Sequence, residues 1–290
     1  MAQPCIGVVG LGQIGLQVAL RLLAEGHDVI GFRRSGSPEL EAAGGRLAGS
    51  AREVAEVCET VIQCLPSEAA LEDAGFGPAG VLRAARPGLT VIELSTYPVE
   101  TKLRYNAALV DAGADFVEVE VSGPPPLVVA RKAALFAAGD EGTVERVVPL
   151  LEKITGPVLF VGPIGSAFAL KLVANHLVAV NTAATAEAMA LADALGVDPE
   201  RTIEVIGKSA GGSVMFSLRA PMMADGTTEA GLGPVQTLSK YLDYIRQTSE
   251  AVALDLTLFD AADTLYRRAL ETGLGDHDIA VVHQLVGRRA

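Results

Sequence analysis

Glycines at positions 10, 12 and 15 stand between a short apolar run, Cys5 to Gly10 (CIGVVG), and an amphipathic stretch, Gln13 to Glu25. No other feature constrains the fold as much. The run reads as a buried strand, and the stretch as a helix with Ile14, Val18 and Leu22 on one side and Gly26 closing it. Between a strand and a helix, the first glycine permits a tight turn and the second lets a pyrophosphate approach the backbone. The third lets helix and strand pack closely. The helix N-terminus adds free N–H groups and a positive dipole. Gly10, Leu11, Gly12, Gln13, Ile14 and Gly15 are therefore the candidate dinucleotide-binding residues.

A second strand, Asp28 to Phe32, follows, and the residues just past it bear on which dinucleotide is bound. A carboxylate there would accept the ribose 2′-OH of NAD. Here Arg33, Arg34 and Ser35 occupy the place, and Asp28 lies at the start of the strand, too early. Guanidinium groups pair with a 2′-phosphate, so the loop predicts NADP(H) in preference to NAD(H).

Further strand-like runs lie at Thr60 to Leu65, Leu89 to Leu94, Asp115 to Val121, Ala134 to Gly139 and Gly156 to Gly162, most of them separated by helical stretches. Such alternation predicts an α/β domain with a doubly wound, mainly parallel sheet covered on both faces. After Gly165 strand-like runs stop. Helices are expected over Ser166 to about Leu195, Pro199 to Lys208, Val235 to Arg268 and Asp276 to Val286, with Asp198-Pro199 and Asp276 as start signals. The expected organisation is a dinucleotide-binding domain over residues 1–163 and an all-helical domain over 164–290, joined by a long helix.

Composition narrows the function. With 35 acidic residues against 23 lysines and arginines, the chain carries a formal charge of −12. Binding of phosphate backbones needs clustered cations, so no nucleic-acid partner is expected. The apolar run Leu172 to Leu195 is broken by Asn175, His176, Asn181, Glu187 and Asp193, which favours a buried helix over a membrane span. Cys5, Cys58 and Cys64 form no CxxC pair, and the four histidines form no ligand set, so no metal is expected. The odd cysteine count, with first residues that read as a strand and not as a signal peptide, points to a reducing, cytoplasmic location.

Five motifs occur in order: GLGQIG (Gly10 to Gly15), STYPVET (Ser95 to Thr101), VSGPP (Val121 to Pro125), GPIGSAFALKLVAN (Gly162 to Asn175) and LSKYLDYI (Leu238 to Ile245). Together they resemble the β-hydroxyacid dehydrogenases, which include 3-hydroxyisobutyrate dehydrogenase and glyoxylate/succinic semialdehyde reductase. The resemblance covers nearly the whole chain. It implies a Rossmann domain followed by a helical domain that assembles homodimers or homotetramers, with the active site in the cleft between the two. It implies Lys171 as the catalytic lysine, Asn175, Ser122 and Gly123 as substrate-binding residues, and Lys240 near cofactor and substrate. Leu65-Pro66 and Ser95-Thr96 would be cofactor-lining turns.

The residues make chemical sense beside the resemblance. Lys171 and Asn175 are four apart and share a helix face, in apolar company with no adjacent carboxylate along the chain. A partly dry lysine has a lowered pKa and can pass a proton to or from a substrate oxygen. The sequence departs from the family pattern at Pro124, Pro125 and Pro126, where a second glycine would donate an N–H, and at Ala133, Ala167 and Tyr241. These departures point to a small-molecule substrate larger or less acidic than a simple hydroxy acid. An NADPH-dependent imine reductase and a non-catalytic NADP-binding protein are the alternative readings.

Overall fold

The computed structural model describes residues 5–123, 125–229 and 233–287, with Pro125 and Pro126 described by backbone alone. The chain divides into two compact units between Lys171 and Leu172.

In the first unit the strands are β1 (Ile6–Val9), β2 (Val29–Phe32), β3 (Arg46–Leu47), β4 (Thr60–Gln63), β5 (Thr90–Glu93), β6 (Asp115–Ser122), β7 (Ala134–Gly139) and β8 (Val158–Gly162). The helices are α1 (Gln13–Ala24), α2 (Pro38–Ala42), α3 (Ala51–Val57), α4 (Glu68–Leu71), α5 (Val99–Asp111), α6 (Pro125–Val129) and α7 (Glu141–Ile154). The sheet order is β3-β2-β1-β4-β5-β6-β7-β8. All pairings are parallel except β6 with β7, which is antiparallel. The order reverses direction between β1 and β4, the point at which an open α/β sheet leaves a crevice beyond its strand ends. The two-residue β3 carries no periodicity and was not legible in the sequence.

Both faces of the sheet are buried, which is why its strands read as continuous apolar runs. Successive side chains point to opposite faces. Val8 thus joins Val18, Leu22, Val117 and Val147 in one core, while Val9 joins Val54, Val61, Tyr97 and Tyr105 in the other. Each fully buried aliphatic side chain contributes about 1.5–3 kcal/mol, so the two cores fix the position of every strand end that follows.

The long helix α8 (Ser166–Ala194) begins in the first unit and runs into the second. It is long and apolar enough to cross a membrane by length and composition, and 44% of its most apolar window is buried inside the protein. The second unit continues with α9 (Pro199–Gly207), α10 (Val214–Asp225), α11 (Val235–Ala251) and α12 (Thr257–Glu271), then a 3-10 turn over Ile279–Leu285. Asp198 caps α9 as expected, accepting from the Arg201 N–H at 2.9 Å with Pro199 in the first turn.

Two expectations for this unit need correction. The stretch Val235 to Arg268 is two helices, not one. Ala253 takes a left-handed φ of 53°, and the Leu254 and Ala253 N–H groups bond back to Ser249 and Glu250. This is the usual glycine-dependent helix stop made by an alanine, so the sequence carried no stop signal. The final segment is capped by Asp278, whose carboxylate accepts from the Ala280 N–H, and not by Asp276. Asp278 also accepts from the Gly233 N–H and pairs with the buried Arg219, whereas Asp276 bonds Gln236.

Candidate active site

The glycine turn sits at the C-terminal end of β1. Gly10 has φ +95°, and a side chain there would run into the Cys64 carbonyl. A Cβ on Gly15 would lie 2.0 Å from the Gly10 carbonyl oxygen, so helix and turn touch without room for a methyl. A Cβ on Gly12 would meet nothing within 4 Å. No side chain caps α1, so its first N–H groups face outward beside that open approach. This is the cradle a pyrophosphate needs. Gln13 is exposed and Ile14 half-buried, while Leu11 is buried with its methyls against Gly31. Leu11 can therefore offer a ligand only its backbone.

Arg33, Arg34 and Ser35 are all exposed just past the end of β2. Among the described residues neither arginine side chain takes part in an ion pair. Arg33 is near enough to Glu39 to help lower that carboxyl's pKa, though the backbone and Ser37 do more. Asp28, at the other end of β2, is tied to Arg46 at 2.7 Å. The polarity of the loop is thus set by the arginines.

Two more turns close this edge. The Leu65 N–H donates to Ser95 Oγ at 2.7 Å, and the Ser95 N–H donates to Glu93 Oε1 at 2.7 Å. Thr96 Oγ1 donates to Glu120 Oε2 at 2.6 Å. Ser95 and Thr96 are buried and Pro66 is exposed. The two hydroxyls are committed to the protein, so these turns act as shaped walls.

Ser122 ends β6, and Gly123 follows with φ +147°, close against the buried Ala133. Pro124, on which the missing N–H was argued, lies outside the described residues. Lys171 Nζ donates to the Val121 carbonyl at 2.6 Å. The lysine is only 8% exposed. The structure thereby brings Lys171, Ser122 and Gly123 together. Burial lowers the Lys171 pKa, and the negative charge of Glu120 partly opposes this. The expectation of no carboxylate nearby holds only along the helix; β6 supplies one across the fold.

Asn175 follows Lys171 by one turn on α8 and is also 8% exposed, with Nδ2 buried and without a hydrogen-bond partner among the described residues. Lys240 lies on α11 in the second unit, its ammonium over the Tyr244 ring at 5.7 Å. Sequence spacing missed the buried charges Glu93, Lys102, Glu118 and Glu120. They come from three consecutive elements, β5, α5 and β6, and only the packing of that helix on those strands brings them together.

Comparison with known proteins gives this geometry its context. The profile described as the NAD binding domain of 6-phosphogluconate dehydrogenase matches residues 5–162. A second, the NAD-binding region of NADP-dependent 3-hydroxyisobutyrate dehydrogenase, matches residues 165–286. The chain belongs to the β-hydroxyacid dehydrogenase family. Within this family it is 29% identical to the NAD-dependent L-serine dehydrogenase of Pseudomonas aeruginosa, over 97% of both chains. It is 27% identical to the chloroplastic glyoxylate/succinic semialdehyde reductase 2 of Arabidopsis thaliana, over 96% of this chain and 78% of that one. The 3-hydroxyisobutyrate dehydrogenase of Mycobacterium tuberculosis, solved with L-serine, superposes with a TM-score of 0.87 at 26% identity, covering 98% of this chain and all of that one. As a β-hydroxyacid dehydrogenase, the chain is an oxidoreductase of hydroxy acids with a nicotinamide cofactor.

Proposed function

We propose that the protein is an NADP(H)-dependent oxidoreductase that interconverts a 3-hydroxy acid, or a related alcohol, and its aldehyde-type carbonyl, with Lys171 as general acid and base. The observation that carries this reading is the buried Lys171 amine, held on the Val121 carbonyl beside Ser122 and Gly123. NADP(H), when bound, supplies or accepts the hydride. The chain's own residues handle the proton and the geometry. In the reducing direction the Lys171 ammonium gives its proton to the carbonyl oxygen; in the oxidising direction the neutral amine takes the hydroxyl proton. Burial, which lowers the Lys171 pKa, favours its use in both directions. The half-buried Ser122–Gly123 turn and the Asn175 amide, whose Nδ2 has no partner among the described residues, orient the substrate.

Arg33 and Arg34 support NADP(H) over NAD(H), since they stand exposed where a 2′-phosphate would be met. Pro124 to Pro126 and Tyr241 support a substrate larger or less acidic than a simple hydroxy acid. The exposed Val173, Leu177 and Leu191 on α8, with Leu195 just past its end, support a homodimer or homotetramer through the helical domain. The three free cysteines fit a reducing compartment, the cytoplasm.

The test is Lys171→Ala. Turnover should fall by about 10²–10⁴-fold while NADPH binding, read by nucleotide fluorescence, stays within a few-fold. Turnover within a few-fold of the parent would overturn the assignment.

A further inference from the structure

Glu93, Glu118 and Glu120 are each at most 1% exposed. Glu93 and Glu118 are register partners on β5 and β6, and Glu120 follows on the same face of β6. A lysine from α5 answers them: Lys102 Nζ lies 3.2 Å from Glu118 Oε1 and 2.6 Å from Glu120 Oε1. Three buried carboxyl groups against one buried ammonium is an unbalanced set. The deep interior disfavours each unpaired charge, so such a cluster persists only when every member has partners.

The partners assign different tasks. Glu118 accepts from the Gly165 and Phe168 N–H groups at 2.5 and 2.8 Å, and so anchors the start of α8. Phe168 precedes Lys171 by three residues, which fixes where the lysine leaves the helix. Glu93 accepts from the Ser95 N–H, and its other oxygen has no partner among the described residues. Glu120 has both oxygens occupied, one by Lys102 and one by Thr96. The residue after it, Val121, carries the carbonyl that holds the Lys171 amine. The Glu120 charge therefore lies one residue from the point where Lys171 is fastened. It is the carboxylate that acts on Lys171 through the buried interior.

We propose that Glu120 is a positioning residue for Lys171: pinned between Lys102 and Thr96, next to the residue whose carbonyl holds the Lys171 amine, its carboxylate keeps that amine seated on the Val121 carbonyl. The proposal rests on Lys171 being the acid and base of the reaction. Glu120 does not touch the substrate. Its influence is electrostatic, and strong because the site is dry. The charged groups facing it are Lys102 from α5, Glu93 from β5, Glu118 on its own strand and Lys171 from α8. Of these, Glu93 is pushed up to about 7 by burial, and it titrates in the range where enzyme assays are run.

The decisive variant is Glu120→Gln, which keeps the shape and removes the charge, while Lys102 retains Glu118. Two readouts are needed. One is the pH profile of kcat/KM for carbonyl reduction, whose fall at high pH reports loss of the Lys171 proton. The other is an NMR titration of isotope-labelled lysine side chains, with the Lys171 signal assigned by its loss in Lys171→Arg. Expected for Glu120→Gln is a displacement of both midpoints to lower pH by about one unit, a tenfold change in the protonation equilibrium. Glu93→Gln should leave both midpoints in place. Unmoved midpoints in Glu120→Gln, or an equal displacement in Glu93→Gln, would overturn the proposal. If Glu120→Gln fails to fold, Glu120→Asp, which keeps the charge but draws it back by one methylene, should displace both midpoints in the same direction by a smaller amount, and unmoved midpoints there would equally overturn the proposal. The titration reads Lys171 without turnover. An active Lys171→Ala enzyme would therefore sink the functional reading alone, and a fixed Lys171 midpoint would sink this one alone.

Discussion

The Cβ that alanine would place at Gly15 falls 2.0 Å from the carbonyl oxygen of Gly10, whereas the same atom at Gly12 touches nothing within 4 Å. Two glycines of one turn thus answer to different demands. Gly15→Ala should destabilise the fold by several kcal/mol, since backbone must move. Gly12→Ala should leave the melting temperature nearly unchanged and weaken dinucleotide binding by at least tenfold. Thermal unfolding and nucleotide titration of the pair check both halves. A Gly12→Ala protein that binds NADPH normally would remove the phosphate from that position.

Cofactor choice should reside in Arg33 and Arg34. Hydrogen bonds to charged groups are worth about 1.5–3 kcal/mol each. Replacing both arginines by alanine should therefore erode the NADPH-over-NADH preference by about 10- to 100-fold, mostly through KM for NADPH. Equal preference ratios before and after the change would refute the assignment.

Glu93 gives the protein a pH-dependent stability. Its carboxyl titrates near 4.5 when unperturbed and near about 7 in the fold, because burial disfavours the ion. The folded state then holds this proton more tightly than the unfolded chain. The associated stabilisation is complete below the unfolded value and is lost as pH rises through the folded one, a difference of up to about 3 kcal/mol. Denaturant midpoints should fall between pH 5 and pH 8 in the parent, by about that amount at most. Glu93→Gln should flatten the fall and be the more stable protein at the alkaline end. A parent curve already flat across this range would contradict the buried titration.

Substitution at Asn175 should separate function from stability. Its buried Nδ2 has no partner among the described residues, so an apolar side chain of similar size removes an unsatisfied donor. Asn175→Leu should keep or slightly raise the melting temperature while raising the KM for the carbonyl substrate at least tenfold. A variant that unfolds early would instead assign the amide a structural bond.

Much of the fold was legible because its signals are local. The glycine turn, the apolar strands, the start of α8 at Ser166 and the Asp198 cap each depend on a few consecutive residues. The break at Ala253 was not legible, because its left-handed conformation is imposed on an alanine by packing. The sequence VEVEVS at Val117 to Ser122 looks like a strand with one wet face. Both glutamates are in fact buried, because Lys102 and the start of α8 arrive from elsewhere in the chain. Candidate residues for proton transfer and cofactor binding could be named from the sequence, but their electrostatic surroundings could not.

The engaged hydroxyls of Ser95 and Thr96 leave this edge of the sheet with one adjustable part. Its walls are locked by bonds that reach down to Glu93 and Glu120, so altering them disturbs the interior. Among the described residues, the Arg33 and Arg34 side chains past β2 take part in no ion pair. On the proposed reading, coenzyme preference is open to change at two or three surface positions that leave the buried Lys171 and its surroundings untouched.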